Sequence, residues 1–140
     1  MFYFVVRHLR WLARVPGFPQ FFDAVLLMGT AAFNRDRLAG MERLEAGALQ
    51  LTGVRSKVHR FGGIEFVDKN GRELGHLHGN GLLDVSIGRL AAESLIKSGK
   101  ALPHHIFPRS KWVSLQIESE ADASFGLALI LKANESDGIQ

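Results

Sequence analysis

Gly63-Ile64-Glu65-Phe66-Val67, then Asp68-Lys69-Asn70-Gly71, then Arg72-Glu73-Leu74-Gly75-His76-Leu77-His78 is the stretch that decides the fold. In the two flanking runs, branched and aromatic residues alternate with charged ones, and the Asn-Gly pair between them tolerates positive φ. The pattern predicts an antiparallel hairpin with strands over 63–67 and 72–78. Residues two apart on a strand share a face, so His76 and His78 present both imidazoles to one side.

Working outward, residues 54–60 read as a further strand, with Phe61-Gly62-Gly63 as the turn or bulge before the hairpin. Gly79-Asn80-Gly81 closes the third strand. A helix follows over 87–98, with Ser86 as its cap, Gly99 as its stop, and Ile87, Leu90, Ala91 and Leu95 turned inward. After a loop holding Pro103 and Pro108, residues 111–117 alternate again, with Val113, Leu115 and Ile117 on one face and Trp112, Ser114 and Gln116 on the other. Ser119 and Asp122 form a capping pair for a terminal helix reaching Lys132. Its stretch Phe125 to Leu131 is apolar nearly all round, which implies deep burial or a homodimer contact through this helix.

Upstream, helices are expected over 2–14, 19–28 and 36–51, the first two separated by Val15-Pro16-Gly17-Phe18-Pro19. Arg7, Arg10 and Arg14 recur at helical spacing beside Phe2, Val5, Val6, Leu9 and Leu12, giving a basic amphipathic helix. Such a helix packs on its own domain or makes peripheral contact with a membrane. The order of elements predicts an α+β fold: a mainly antiparallel sheet of about four strands, helices on one face, and an N-terminal helical segment. The expected organisation is one domain, with the helical segment over 1–52, the α+β core over 53–134 and a tail over 135–140.

Composition narrows the chemistry. The 140 residues are 46% hydrophobic and 22% charged, an ordinary globular balance. The absence of cysteine removes disulfides, thiolate metal sites and cysteine nucleophiles. The formal charge is +3, and residues 1–60 hold the basic excess. That excess falls well short of the dense lysine and arginine footprint of a nucleic-acid binder. No apolar run approaches the roughly 20 residues of a membrane span, and Arg7 and Arg10 interrupt the first apolar stretch, so the expected location is the cytoplasm.

Histidine is the unusual feature. Of six histidines, five lie between His59 and His105, four of them in the groups His76-Leu77-His78 and His104-His105. His76 and His78 are a workable pair of metal ligands, needing one or two more from Asp84, Glu65, His104 or His105; His104 completes the simplest metal set. Half-buried histidines bonded to carbonyls or carboxylates would read the same way. Ser110 or Ser114 with a histidine and Asp84 has the makings of a hydrolase triad, but no G-x-S-x-G elbow is present. The glycines match neither a P-loop nor a dinucleotide fingerprint.

Three blocks in order, His59-Arg60-Phe61-Gly62-Gly63-Ile64-Glu65-Phe66, Gly71 to Gly79, and Pro103-His104-His105 with Trp112-Val113-Ser114, resemble the bacterial and fungal luciferase-domain family over residues 50–132. The resemblance implies a shared motif of Arg60, Glu65, Arg72, Glu73, His76, His78, His104, His105, Trp112 and Ser114. It carries no substrate or reaction. Lys111 stands where that family often has glycine. The Trp-Val-Ser strand and the helix after it are also similar to the MmcQ/YjbR family of small α+β proteins. Two functions stay open at this point. One is a ligand-binding or interaction module with a polar face lined by histidine, arginine and tryptophan, taking a small anionic or aromatic molecule. The other is an enzyme using a divalent metal on His76, His78 and a further ligand.

Overall fold

The structure is a computed structural model that describes residues 15–136. The expected basic helix over 2–14 and the end of the tail lie outside the described residues. Helix α1 (Phe18–Phe33) leads through Asn34 into α2 (Arg35–Gln50), followed by β1 (Arg55–Val58), β2 (Ile64–Val67), β3 (Glu73–Leu77) and β4 (Leu82–Ser86). Helix α3 (Arg89–Lys97), β5 (Leu102–Pro103), β6 (Trp112–Gln116) and α4 (Glu120–Glu135) complete the chain. The strands form one antiparallel sheet in the order β1-β2-β3-β4-β6-β5. The α+β class stands, and the expected four strands become six.

The two added strands have plain physical reasons. β4 alternates Leu83 and Val85 toward the core with Asp84 and Ser86 away from it, and a fully buried aspartate in mid-strand gave its sequence the look of a loop. Ser86 therefore ends a strand. Gly88 occupies the cap position of α3, and Leu90 points to solvent at 83% exposure while Ala92 is buried in its place. β5 is a two-residue edge strand containing Pro103, too short to leave a periodic signal.

The β2–β3 turn closes as its chemistry predicts. Gly71 takes φ +82°, and the Asp68 carboxylate accepts from the backbone N–H groups of Asn70 (2.8 Å) and Arg72 (2.9 Å). At the other end of the chain, the Ser119 hydroxyl accepts from the Asp122 N–H and so caps α4.

The core lies between the sheet and the helix pair α2 and α4. Met41, Leu44 and Ala48 of α2 meet Leu129, Ile130 and Ala133 of α4 and the sheet residues Phe66, Leu83, Val85 and Val113. The apolar stretch of α4 is thus buried largely within its own domain. A residue type that keeps one face this dry leaves the opposite face for polar groups, because strand side chains alternate.

Helix α1 is attached differently. Its buried residues are Asp23 and Thr30, and both hold Gly79: the Asp23 carboxylate accepts from the Gly79 N–H (2.8 Å) and the Thr30 hydroxyl donates to the Gly79 carbonyl (2.8 Å). A β-carbon at Gly79 would collide with the α1 backbone at Asp23 and Leu27. Gly79→Ala should therefore lower stability by about 1–3 kcal/mol, the usual cost of overpacking. Gly71→Ala, with open space around it, should pay only its positive φ, about 1 kcal/mol. Urea denaturation of the two variants checks the order.

Candidate functional site

Strand register builds the site. Lys57, Glu65, His76, Asp84 and Ser114 are successive cross-strand partners on β1, β2, β3, β4 and β6, so they form one polar row on the face opposite α2 and α4. A bulge in β3 adds to it. Phe66 pairs with Gly75 and Val67 with Glu73, leaving Leu74 as the extra residue. Leu74 enters the core and the Glu73 side chain reaches the histidine face, where a regular strand would have placed the reverse.

The centre of the row is Asp84, fully buried. One carboxylate oxygen, Oδ1, accepts a short hydrogen bond from the Ser114 hydroxyl. Around the other, Oδ2, stand His76 Nε2 at 3.3 Å, His105 Nδ1 at 3.7 Å, and His78 Nε2 and His104 Nε2 at 3.8 Å. The loop between β5 and β6 delivers His104 and His105. Trp112 closes one side, its ring centroid 5.7 Å from that of His76 and 5.9 Å from that of His104.

Two of the imidazoles have a carboxylate behind them. His76 Nδ1 lies 2.6 Å from Glu73 Oε1, and His78 Nδ1 lies 3.6 Å from Asp23 Oδ1. His59 stacks on His76 with centroids 4.2 Å apart and planes 6° from parallel. Its Nε2 is 3.8 Å from the same Glu73 oxygen. His104 differs from its neighbour: its Nδ1 accepts from the N–H groups of Ile106 and Phe107, both at 3.1 Å. In the neutral ring the proton then sits on Nε2, the nitrogen that faces Asp84.

Electrostatics divides the cluster. Burial alone would lower the pKa of His76, but hydrogen bonds and charge from Asp84 and Glu73 outweigh it and hold the ring at about 9. Burial opposes the charged form of Asp84 too, and His76 above all brings it down to about 2. Burial, reinforced by neighbouring imidazoles, lowers His59 and His105 to about 4 and also lowers His104. Without a bound cation, one imidazolium thus sits between two carboxylates while His59, His104 and His105 are neutral.

The remaining expected residues divide cleanly. Glu65 is on the row and pairs with Lys57 at 3.2 Å. Arg72 is committed to structure: its guanidinium bonds Asp68 (3.0 Å) and the Ala133 carbonyl near the end of α4 (3.0 Å). Arg60 is exposed and lies over the Phe61 ring, 4.3 Å from its centroid. Ser114 donates to the aspartate and Ser110 to the Phe107 carbonyl, so neither serine has the histidine contact of a hydrolase triad. Asp23 joins the site unforeseen. Its signal was visible as the sole charged residue of the apolar run 18–33.

Residues 71–133 match the family model described as Luciferase domain. This stretch runs from the β2–β3 turn to the last turns of α4 and is similar to the luciferase-domain family. It contains Glu73, His76, His78, Asp84, His104, His105, Trp112 and Ser114, whereas Asp23 and His59 lie before it. No curated protein and no solved structure matches the chain.

Linkage gives the pH dependence of the cation-free protein. His76, raised from 6.5 to about 9, stabilises fully below pH 6.5, and that contribution is lost as pH rises toward 9. His59 and His105, lowered from 6.5 to about 4, resist protonation in the folded state, so stability falls as pH drops from 6.5 toward 4. Chelator-treated protein should melt at its highest temperature around pH 6.5 and lower on both sides. A melting temperature that stays level from there to pH 9 would show that His76 is not held as an ion pair.

Proposed function

We propose that this is a metal-binding protein whose His76, His78 and Asp84 hold a first-row divalent cation. The observation that carries this reading is the double arrangement of the two strand histidines. Each turns one nitrogen toward the buried Asp84 carboxylate and the other toward a second carboxylate, Glu73 or Asp23. Carboxylates behind ligating histidines fix the ring orientation and raise ligand basicity.

Spacing supports the same reading. A tetrahedral cation bound at about 2.0–2.1 Å sets its donor atoms about 3.4 Å apart. The Nε2 atoms of His76 and His78 stand 3.3 and 3.8 Å from Asp84 Oδ2, and these three residues offer ligand atoms that all lie within 4.8 Å of one another. His104 serves outside that set, because its Nδ1 is engaged by two backbone N–H groups and its Nε2 carries the proton that meets Asp84. His59 also stands outside, since a ring stacked parallel on His76 cannot aim its lone pair at the same point. Nitrogen and oxygen donors without sulfur suit zinc, iron, manganese or cobalt. A cation here replaces the proton on His76 Nε2 as the partner of Asp84.

The polar face then becomes a place for a small anionic ligand to meet the cation, approaching beside the half-buried His105 and Trp112. Metal analysis of untagged protein tests the reading. The parent should carry about one equivalent, and the His76→Ala, His78→Ala double variant should carry none while remaining folded. Arg72→Ala should lower stability and keep the metal. Absence of metal in parent protein grown with these cations and never exposed to chelator would overturn the reading, leaving His76 as a permanent imidazolium.

A further inference from the structure

The loop between β5 and β6 fixes His104 in a single role. Its Nδ1 accepts from the backbone N–H groups of Ile106 and Phe107, both at 3.1 Å, and a neutral ring that accepts there carries its proton on Nε2. A protonated ring nitrogen has no lone pair to offer a cation, so this imidazole can donate but not ligate. The ring is buried, packed on His105 with centroids 4.6 Å apart and on Trp112. Its Nε2 faces Asp84 Oδ2 from 3.8 Å, beyond hydrogen-bond reach. A fixed donor thus points into the space around the carboxylate without touching it.

Three protein ligands leave a tetrahedral cation one position for an outside ligand. Charge limits what fills it. Against the cation's two charges stand Asp84 in the set, and Glu73 and Asp23 behind the two histidines. The basic side chains closest along the row are committed elsewhere, Lys57 to Glu65 and Arg72 to Asp68. One further negative charge is therefore as much as the position accepts, which disfavours a dianion such as phosphate. We infer, on the strength of the metal reading above, that this position takes a small monocarboxylate, one oxygen on the cation and the other accepting from His104 Nε2–H. Trp112, its ring 5.7 Å from that of His76 and 5.9 Å from that of His104, gives the carbon end of such a ligand an apolar wall. His104 is then the residue that selects and orients the ligand, and the loop N–H groups of Ile106 and Phe107 hold it to that task.

The full chain loaded with cobalt(II) tests it, because the visible absorption of that ion reports a change of ligand. Acetate should perturb the spectrum and saturate, and inorganic phosphate should do so only at higher concentration. His104→Asn keeps an oxygen to accept from the Ile106 and Phe107 N–H groups but removes the Nε2 donor. This variant should take up cobalt as the parent does and bind acetate about tenfold or more weakly, the usual cost of losing a hydrogen bond to a charged group. His104→Gln offers an amide N–H near the place of Nε2 and gives up the loop bonds, so it should keep more of the acetate affinity than the asparagine variant. The reverse order would assign His104 to holding the loop and overturn the inference. Cobalt uptake with no response to acetate, or with a tighter response to phosphate, overturns it as well. A parent that takes up no cobalt overturns the metal reading itself, and this one with it.

Discussion

A carboxylate shut away from water must be met by donors or by positive charge, and Asp84 imposes that demand on every strand near it. β6 answers with the Ser114 hydroxyl, β3 with the His76 imidazolium, and the β5–β6 loop with two further imidazoles. The charged ring then needs a second anion, which is why Glu73 matters. The order of strands follows the same logic. β4 is central and lies between β3 and β6, so the residue most in need of partners has a strand on each side to supply them.

The sheet thereby separates two kinds of cohesion. On the helix side, contacts are apolar and tolerant of small shifts in distance. On the histidine side, they are directional and charged, and the row Lys57–Glu65–His76–Asp84–Ser114 crosses five strands without an apolar interruption. The bulge at Leu74 reconciles the two, since it sends a leucine inward and a glutamate outward from neighbouring positions.

Much of this was legible in the chain. The period-two runs and the Asn-Gly turn identified the β2–β3 hairpin, and the H-x-H spacing put two imidazoles on one face. The shift in periodicity after residue 53 separated helices from strands. What could not be read is instructive. β4 hid because its central residue is an aspartate, and that same aspartate is the heart of the site; a polar residue at a core position contradicts the hydrophobic pattern just where chemistry is concentrated. Asp23 was missed because it lies 61 positions before Asp84 in sequence and reaches His78 and Gly79 only once α1 is folded against the sheet. Arg72, read as a ligand contact, proved to tie the turn to α4. A motif shows which side chains occur together and is silent on whether they face the site or hold the frame.

The attachment of α1 has a mechanical consequence. Two of its side chains, Asp23 and Thr30, grip one residue, Gly79, which directly follows His78, and the helix presents its apolar side outward. One of the points at which the helix is anchored therefore lies beside the histidine site. Because the same Asp23 carboxylate accepts from Gly79 and faces His78 Nδ1, the seating of this helix and the orientation of one site imidazole are coupled through a single side chain.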